Sequence, residues 1–448
     1  MVSRFNIPFP FGYDYHIWQR FEALVRRFFV NERRWWHGAL CAYGVLSLSS
    51  MAGMGIGSGF FALCTLFLLW RSPEQRQKFV LLARGAYGRV TILLFLAAFF
   101  SLLAAWIWPP AGEAASGLKE LSKFHYFFLP LFLALAFLDG EKPLEQHPFW
   151  RFWIGMALFS TLLALLQFFG AAIFPQEWLG SRFFRSIGSS GRFHGQGLMF
   201  FHLSFASCLS FFAACGLARA LWPRQGDKRW LWSLIALAGL LAVFFSYSRI
   251  SWIAIGVIVV VLGFLKRPLW GLLGLMLVFA TGFAAWNFSD TLRARYVDNR
   301  NGNEDRYALW LAALETAKDR PLSGVGFGRT GRYSEYYLER VLGDKPRFAS
   351  HAHNNFLDAL AAMGWPGLLA FLAWWGALFL MAWQAFRAAP DAERWLPAAA
   401  LAGFLAFQVN GLTQVNFWDG KSQHSLMVWA GITLALHARR LQRERAAR

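Results

Sequence analysis

The stretch "AVFFSYSRISWIAIG", residues 242–256, decides how this chain is read. It lies inside apolar sequence running from Leu231 to Leu265, with one permanent cation, Arg249, near the middle. A guanidinium stays protonated below pH ~12. At the centre of a bilayer it costs roughly 2.5–3.5 kcal/mol on insertion scales. As one helix, Leu231–Leu265 would span roughly 52 Å at 1.5 Å per residue, against a hydrocarbon core of roughly 30 Å. The chain is therefore expected to reverse near Ser246–Arg249. Arg249 then stands in a tight turn at the membrane edge.

Working outward, similar apolar runs recur from Trp36 to Ala438. Of the 448 residues, 57% are hydrophobic and only 15% charged, where a soluble chain carries about 25% charge. The expected fold is all-α: a polytopic membrane protein of about twelve transmembrane helices. Spans are expected near 36–52, 54–70, 90–108, 124–138, 150–174, 196–222, 230–247, 250–265, 268–285, 365–386, 395–416 and 423–437. The 23 tryptophans suit the two membrane interfaces. Cys41, Cys64, Cys208 and Cys215 fall within spans and are read as packing residues.

Loop charge sets the sidedness. Basic residues fill the N-terminal arm, the loops 71–89, 223–229, 266–267 and 387–394, and the tail "RRLQRERAAR". With twelve spans all of these share one side, which the positive-inside rule makes cytoplasmic, together with both termini. The net charge of +19 is thus a topology signal and not a nucleic-acid footprint. The chain divides into a cytoplasmic amphipathic arm (1–34), nine spans (35–285), an outward helical loop domain (286–363), three spans (364–437) and a basic cytoplasmic tail (438–448). No cleavable signal peptide is expected, because no short apolar run with a small-residue cleavage site opens the sequence. Within the arm, "YHIWQRFEALVRRFFV" reads as a basic amphipathic helix on the membrane surface, or as an arm packed on the bundle.

Two outward segments carry cations against this pattern: 175–197, with Arg182, Arg185 and Arg192, and 287–363, where basic and acidic residues nearly balance. Long loops translocate regardless of charge, but Arg192 and Arg249 lie next to spans and suggest an anionic ligand. In the long loop a helix is expected to end before Pro321, with Asn303 as N-cap and Tyr307, Trp310, Ala313, Leu314 and Ala317 as an apolar stripe that lies either on the membrane or on the bundle. "PLSGVGFG" reads as a glycine-punctuated turn, and a second helix covers "RYSEYYLERVL". In "SHAHNNFLDAL", Ser350 is expected to cap a helix starting at His351. His353 in its first turn would feel the helix dipole, stay neutral at pH 7 and be able to accept a proton. The bland alternative is that His351 and His353 only cap or pack. No CxxC, HExxH or outward carboxylate cluster points to a metal. Glu304-Asp305 is read as pairing with Arg306 or capping its helix.

Gly191-Arg192-Phe193, Ser248-Arg249, Arg306 and Trp310 as R-x-x-x-W, Pro321, Gly324 and Gly326 as P-x-x-G-x-G, and His351 to Leu357 as H-x-H-N-x-F-L follow in order, with Gly364 beyond. This series resembles the O-antigen ligase and O-antigen polymerase superfamily of membrane glycosyltransferases over residues 180–385, and most resembles the ligases. The resemblance implies a C-type glycosyltransferase in the inner membrane of a Gram-negative bacterium, with a periplasmic active site. It implies an undecaprenyl diphosphate-linked glycan donor and a lipid A-core acceptor, and no cofactor. His353 would be the general base, with Arg249 and Arg306 catalytic. Arg192, Arg249, Arg306, Arg185, His351 and Asn354 would bind diphosphate and glycan. The rivals are an O-antigen polymerase, a protein O-oligosaccharyltransferase and, from another class, a polysaccharide-lipid transporter. A transporter would show mid-membrane charges or repeat symmetry, and the sequence shows neither.

Overall fold

A computed structural model describes residues 32–110, 117–139, 143–179, 181–187, 192–288, 300–344, 346 and 348–446. The amphipathic arm at 15–30 lies outside the described residues. The described chain is helical, with one isolated antiparallel bridge, Ser186–Phe193.

The principal helices are α1 (Glu32–Leu46), α2 (Met51–Arg71), α3 (Pro73–Arg84), α4 (Ala86–Ile107), α5 (Leu129–Leu138), α6 (Phe149–Phe168), α7 (His202–Leu221), α8 (Arg229–Phe245), α9 (Arg249–Lys266), α10 (Pro268–Phe288), α11 (Arg300–Asp319), α12 (Thr330–Leu342), α13 (Asn355–Ala388), α14 (Trp395–Asn410) and α15 (Gly420–Ala446). A helix stands at each expected span. Among the described residues, seven are long and apolar enough to cross a membrane: α2, α4, Leu118–Leu138, α6, α7, α9 and α13. Arg229–Phe245, Pro268–Ala284 and Trp395–Asn410 are shorter apolar helices. The chain is thus an all-helical, multi-pass membrane protein. The fourth span begins earlier than expected, because a 3-10 segment, Leu118–Phe128, leads into α5. The sixth begins later, at His202, because 194–201 is irregular, with a turn at 197–200.

The reversal expected at "SYSR" is present. α8 ends at Phe245, Tyr247 takes a left-handed φ of 58°, and α9 opens at Arg249. At the centre, α7 is enclosed by α8, α9, α14 and α15. Small residues let it come close to α8. A Cβ on Gly216 would meet Ala236 N at 2.7 Å, and one on Gly239 would meet Ala213 Cα at 2.7 Å. Between lipid-embedded helices, where apolar burial gives little drive, such close packing holds the pair.

The tryptophans divide, which corrects their assignment to the interfaces alone. Trp70, Trp230, Trp270, Trp106, Trp178 and Trp286 are exposed at or near helix ends, as interfacial belts require. Trp36, Trp153, Trp222, Trp374 and Trp429 are instead fully buried in the bundle. Trp36 Nε1 donates to Thr65 Oγ1 (2.9 Å) and Trp374 Nε1 to Thr91 Oγ1 (3.1 Å). A buried indole tolerates lipid-depth packing when its N–H finds such a partner.

The loop between α10 and α13 folds onto α13 through a reciprocal strap. Gly364 leaves helical geometry (φ 65°, ψ −168°) and Pro366 follows it, so the carbonyls of Ala361 and Ala362 lose their intrahelical donors. Val325 N and Gly326 N of the "PLSGVGFG" turn donate to them, each at 2.9 Å, and Trp365 N donates to Pro321 O at 2.8 Å. Gly324 is needed here, since a Cβ would stand 2.4 Å from Ala361 O. The glycine run is a structural clasp. α11 ends at Asp319, as expected, but it begins at Arg300, so Asn303 lies inside the helix and is not its cap. Its buried face is Ala308, Leu309, Ala312, Ala313, Thr316 and Ala317. Of the expected stripe, Ala313 and Ala317 belong to this buried face and Trp310 is half-buried, while Tyr307 and Leu314 are exposed. That buried face packs on α12, through Tyr333, Tyr337 and Leu338, and on α13.

Candidate active site

Arg249 is the first residue of α9, half-buried, with Ser248 as an extended N-cap residue. Its turn is held from behind by polar side chains buried between helices. Ser251 Oγ donates to Asn410 Oδ1 (2.6 Å) and sits 2.8 Å from Ser248 Oγ. Asn410 Nδ2 reaches Ser210 Oγ at 3.5 Å. In front of the turn stands the Arg192 segment. His194 Nδ1 lies 2.7 Å from Ser246 O, and Gly195 N donates to Phe245 O at 2.8 Å. The exposed Arg192 guanidinium covers the Phe168 ring at 5.5 Å, and Phe168 packs on Phe245 at 4.7 Å. Arg192 is thereby fastened beside the Arg249 turn. Arg185 occupies the facing arm of the same short hairpin, with its guanidinium 5.7 Å from the Phe201 ring. Lys421 covers that ring too, also at 5.7 Å.

Gln167 clamps this hairpin to α6. Its Oε1 accepts from Gln196 N and Gly197 N, both at 2.9 Å, and its Nε2 donates to Phe183 O (3.1 Å) and Gly197 O (3.0 Å). All its hydrogen-bonding capacity is used, as a buried amide requires.

Arg306 comes from the second turn of α11 and is half-buried. Burial, and then the charge of Arg249, push its guanidinium below the ordinary arginine value. The two cations, 57 residues apart in sequence, thus lie within electrostatic range of each other. No carboxylate among the described residues pairs with either. Two like charges with no carboxylate partner among the described residues are an arrangement that suits an anion.

His351 and His353 adjoin this pair. Their rings are 4.3 Å apart, tilted at 36°. Ser350 Oγ lies between them, 3.2 Å from His351 Nδ1 and 3.3 Å from His353 Nε2. Burial first, then His351 and Arg306, lower the His353 pKa to about 4. The direction agrees with the expectation, but the cause does not. Helix α13 starts at Asn355, not at His351, and its cap is Asn354, whose Oδ1 accepts from Phe356 N (2.9 Å) and Leu357 N (3.1 Å). Ser350 is not the cap, and the helix dipole does not act on His353 from a first-turn position. His353 lies before the helix, with a left-handed φ of 48°. Asn354 is thus a structural cap, and its Nδ2 also ties the segment to Leu412 O (3.1 Å).

Several residues of this region gave no readable signal in the sequence. Asn355 is buried, donates to Asn416 Oδ1 (2.6 Å) and accepts from Phe417 N (3.2 Å), while its own N–H donates to Gly411 O (2.7 Å). Asn354 and Asn355 therefore bind the histidine segment to the 411–417 turn, and Asn410 beside that turn holds the Arg249 end. Asp358, buried in the first turn of α13, accepts from Thr330 Oγ1 at 2.6 Å and lies within electrostatic range of His351. Among the described residues no group of three or more His, Cys, Asp or Glu could hold a metal ion.

Residues 234–372 match the family model described as O-antigen ligase, which supports membership of that superfamily. The match opens in α8, takes in the Arg249 turn, α11 and the clasp, and ends within α13. No curated protein matches the chain at a significant level.

Proposed function

We propose that this chain, whose residues 234–372 match the O-antigen ligase family, transfers O-antigen polysaccharide from undecaprenyl diphosphate to lipid A-core. The transfer takes place at the periplasmic face of the inner membrane, within a bundle of twelve spans whose termini are cytoplasmic. The carrying observation is the pair of cations within electrostatic range of each other, Arg249 and Arg306, without a carboxylate partner among the described residues and near an imidazole that is neutral at pH 7.

The chemistry follows from that arrangement. The leaving group is a lipid diphosphate that gains negative charge as the glycosidic bond breaks. Guanidiniums remain charged in a poorly screened site and offer planar, paired donors to phosphate oxygens. Arg249 and Arg306 would hold the diphosphate, with Arg192 beside them and Arg185 further along the hairpin toward the glycan. The charge of the leaving group would be met by these fixed cations, without a metal ion or cofactor. His353 would take the proton of an acceptor sugar hydroxyl, and the oxygen would attack the anomeric carbon as the diphosphate departs. One displacement inverts the anomeric configuration. A bound diphosphate also raises the basicity of His353, since it neutralises the cation that depresses it. His351, held by Ser350 and within electrostatic range of Asp358, would orient the acceptor.

The nearest second possibility is a polymerase, which shares the donor and differs in its acceptor. The family match supports this type of transfer and leaves the acceptor to experiment. Deleting the gene and separating surface polysaccharide on a gel distinguishes them. A ligase leaves lipid-linked polymer intact and lipid A without long chains, whereas a polymerase loses the polymer.

A further inference from the structure

At the basic end of the bundle, α3, α4, α13 and α15 enclose a cavity of about 430 Å³. Its floor is apolar, with Leu82, Met381 and Leu434, and its lining includes three cations, Lys78, Arg89 and Arg445. None of its lining residues is acidic. The nearest carboxylate on the same helix, Glu74, is 60% exposed and bonds Lys78 at 2.6 Å. Arg89 stands in the first turn of α4, an apolar helix of mean hydropathy 2.5, and Arg445 in the last turn of α15. The cavity thus lies at the level where apolar helices begin and end, which is the lipid headgroup level. A neighbouring cavity also carries arginines, but there Arg443 pairs with Glu393 (3.0 Å) and Arg440 with Glu444 (3.5 Å). Those carboxylates stand in its own lining, whereas Glu74 lies outside the lining of the first cavity.

We propose that the first cavity is a binding site for an anionic phospholipid of the adjoining leaflet. The phosphodiester faces Lys78, Arg89 and Arg445, and the glycerol and upper acyl carbons lie on Leu82, Met381 and Leu434. Cationic pockets between transmembrane helices take anionic headgroups because attraction at the surface adds to apolar contact below it. A bound lipid would join α4 and α13, of which α13 carries the strap to the loop domain, to α15. The site depends on the membrane-spanning frame but not on the transferase reading.

The test uses the full chain in phosphatidylcholine nanodiscs, with phosphatidylglycerol binding followed by native mass spectrometry and thermal shift. The wild type is expected to prefer phosphatidylglycerol to phosphatidylcholine. The triple change Lys78→Gln, Arg89→Gln, Arg445→Gln is expected to weaken phosphatidylglycerol binding about a hundredfold, roughly fivefold for each cation. Arg387→Gln, a cation at the same end but outside the cavity, is expected to leave it unchanged. Should the triple variant fail to fold, Arg89→Gln alone is expected to give the fivefold loss. No headgroup preference in the wild type, or an unchanged preference in the variants, overturns the proposal. So does full displacement of phosphatidylglycerol by millimolar inorganic phosphate, which would make the ligand a free anion. Because the readout is lipid binding, it stands or falls separately from glycan transfer.

Discussion

Replacing Arg249 by lysine separates a diphosphate grip from a helix anchor. Lysine keeps the charge, can snorkel to the interface and can serve as the first residue of α9. The electrostatic pressure on Arg306 therefore persists, and the Ser251–Asn410 support behind the turn is untouched. What disappears is the planar pair of donors. A hydrogen bond to a charged group is worth about 1.5–3 kcal/mol, so losing one of two predicts a fall in kcat/KM of roughly 10- to 150-fold. Arg306→Lys is expected to fall within the same range. The double change should cost less than the product of the singles, because both residues address one phosphate site. Arg340→Lys is the control. Arg340 pairs with Glu315 at 2.9 Å and Asp319 at 3.3 Å on the loop-domain surface, and exposed pairs of this kind are worth little. The assay is glycan transfer to lipid A-core with membrane levels normalised. Full activity in Arg249→Lys would return this residue to the role of an interfacial anchor and remove the physical support for a diphosphate donor.

Other consequences concern the base, its supports and the ions present. His353, with its pKa lowered to about 4 from the ordinary 6.5, should place the acid limb of kcat/KM well below pH 6.5. Bound diphosphate offsets Arg306, so the limb of kcat should lie at higher pH; a kcat limb at or below that of kcat/KM contradicts the arrangement. Asn355→Ala removes the partners of buried Asn416 and Phe417, a loss of about 2–6 kcal/mol for two orphaned groups. It should lower the melting temperature and reduce kcat more than it changes donor KM, and an unchanged kcat in a folded variant would show that the 411–417 turn does not position His353. Purified enzyme should keep its activity in excess EDTA, and activity that vanishes and returns with Mg²⁺ or Mn²⁺ would contradict transfer by fixed cations alone.

Much of the fold was readable because lipid imposes simple rules. Apolar length located the helices, and the length limit at Leu231–Leu265 required the reversal that sets Arg249 at a turn. Periodicity could not give the details of the loop. Asn303 follows three residues already in helix α11, and α11 turns its alanines, Ala313 and Ala317 of the expected stripe among them, toward α12 and α13, which leaves Tyr307 and Leu314 outside. The histidine segment was misjudged because both Ser350 and Asn354 are good caps, and only the contacts of Asn354 and Asn355 with the 411–417 turn decide between them. Asn410 and Asn416 form no motif with their sequence neighbours. Their importance comes from partners some 60 to 200 residues away, which no local pattern carries.

The most direct test is reconstitution of the purified protein with a glycan on undecaprenyl diphosphate and lipid A-core as acceptor, with product resolved on a gel. Wild-type protein should attach the glycan to lipid A-core with inverted anomeric configuration. His353→Ala should insert normally and lose transfer by ~10²–10⁴-fold. A product in which glycans lengthen on the lipid diphosphate while lipid A-core stays bare, or an undiminished rate in His353→Ala, would contradict it.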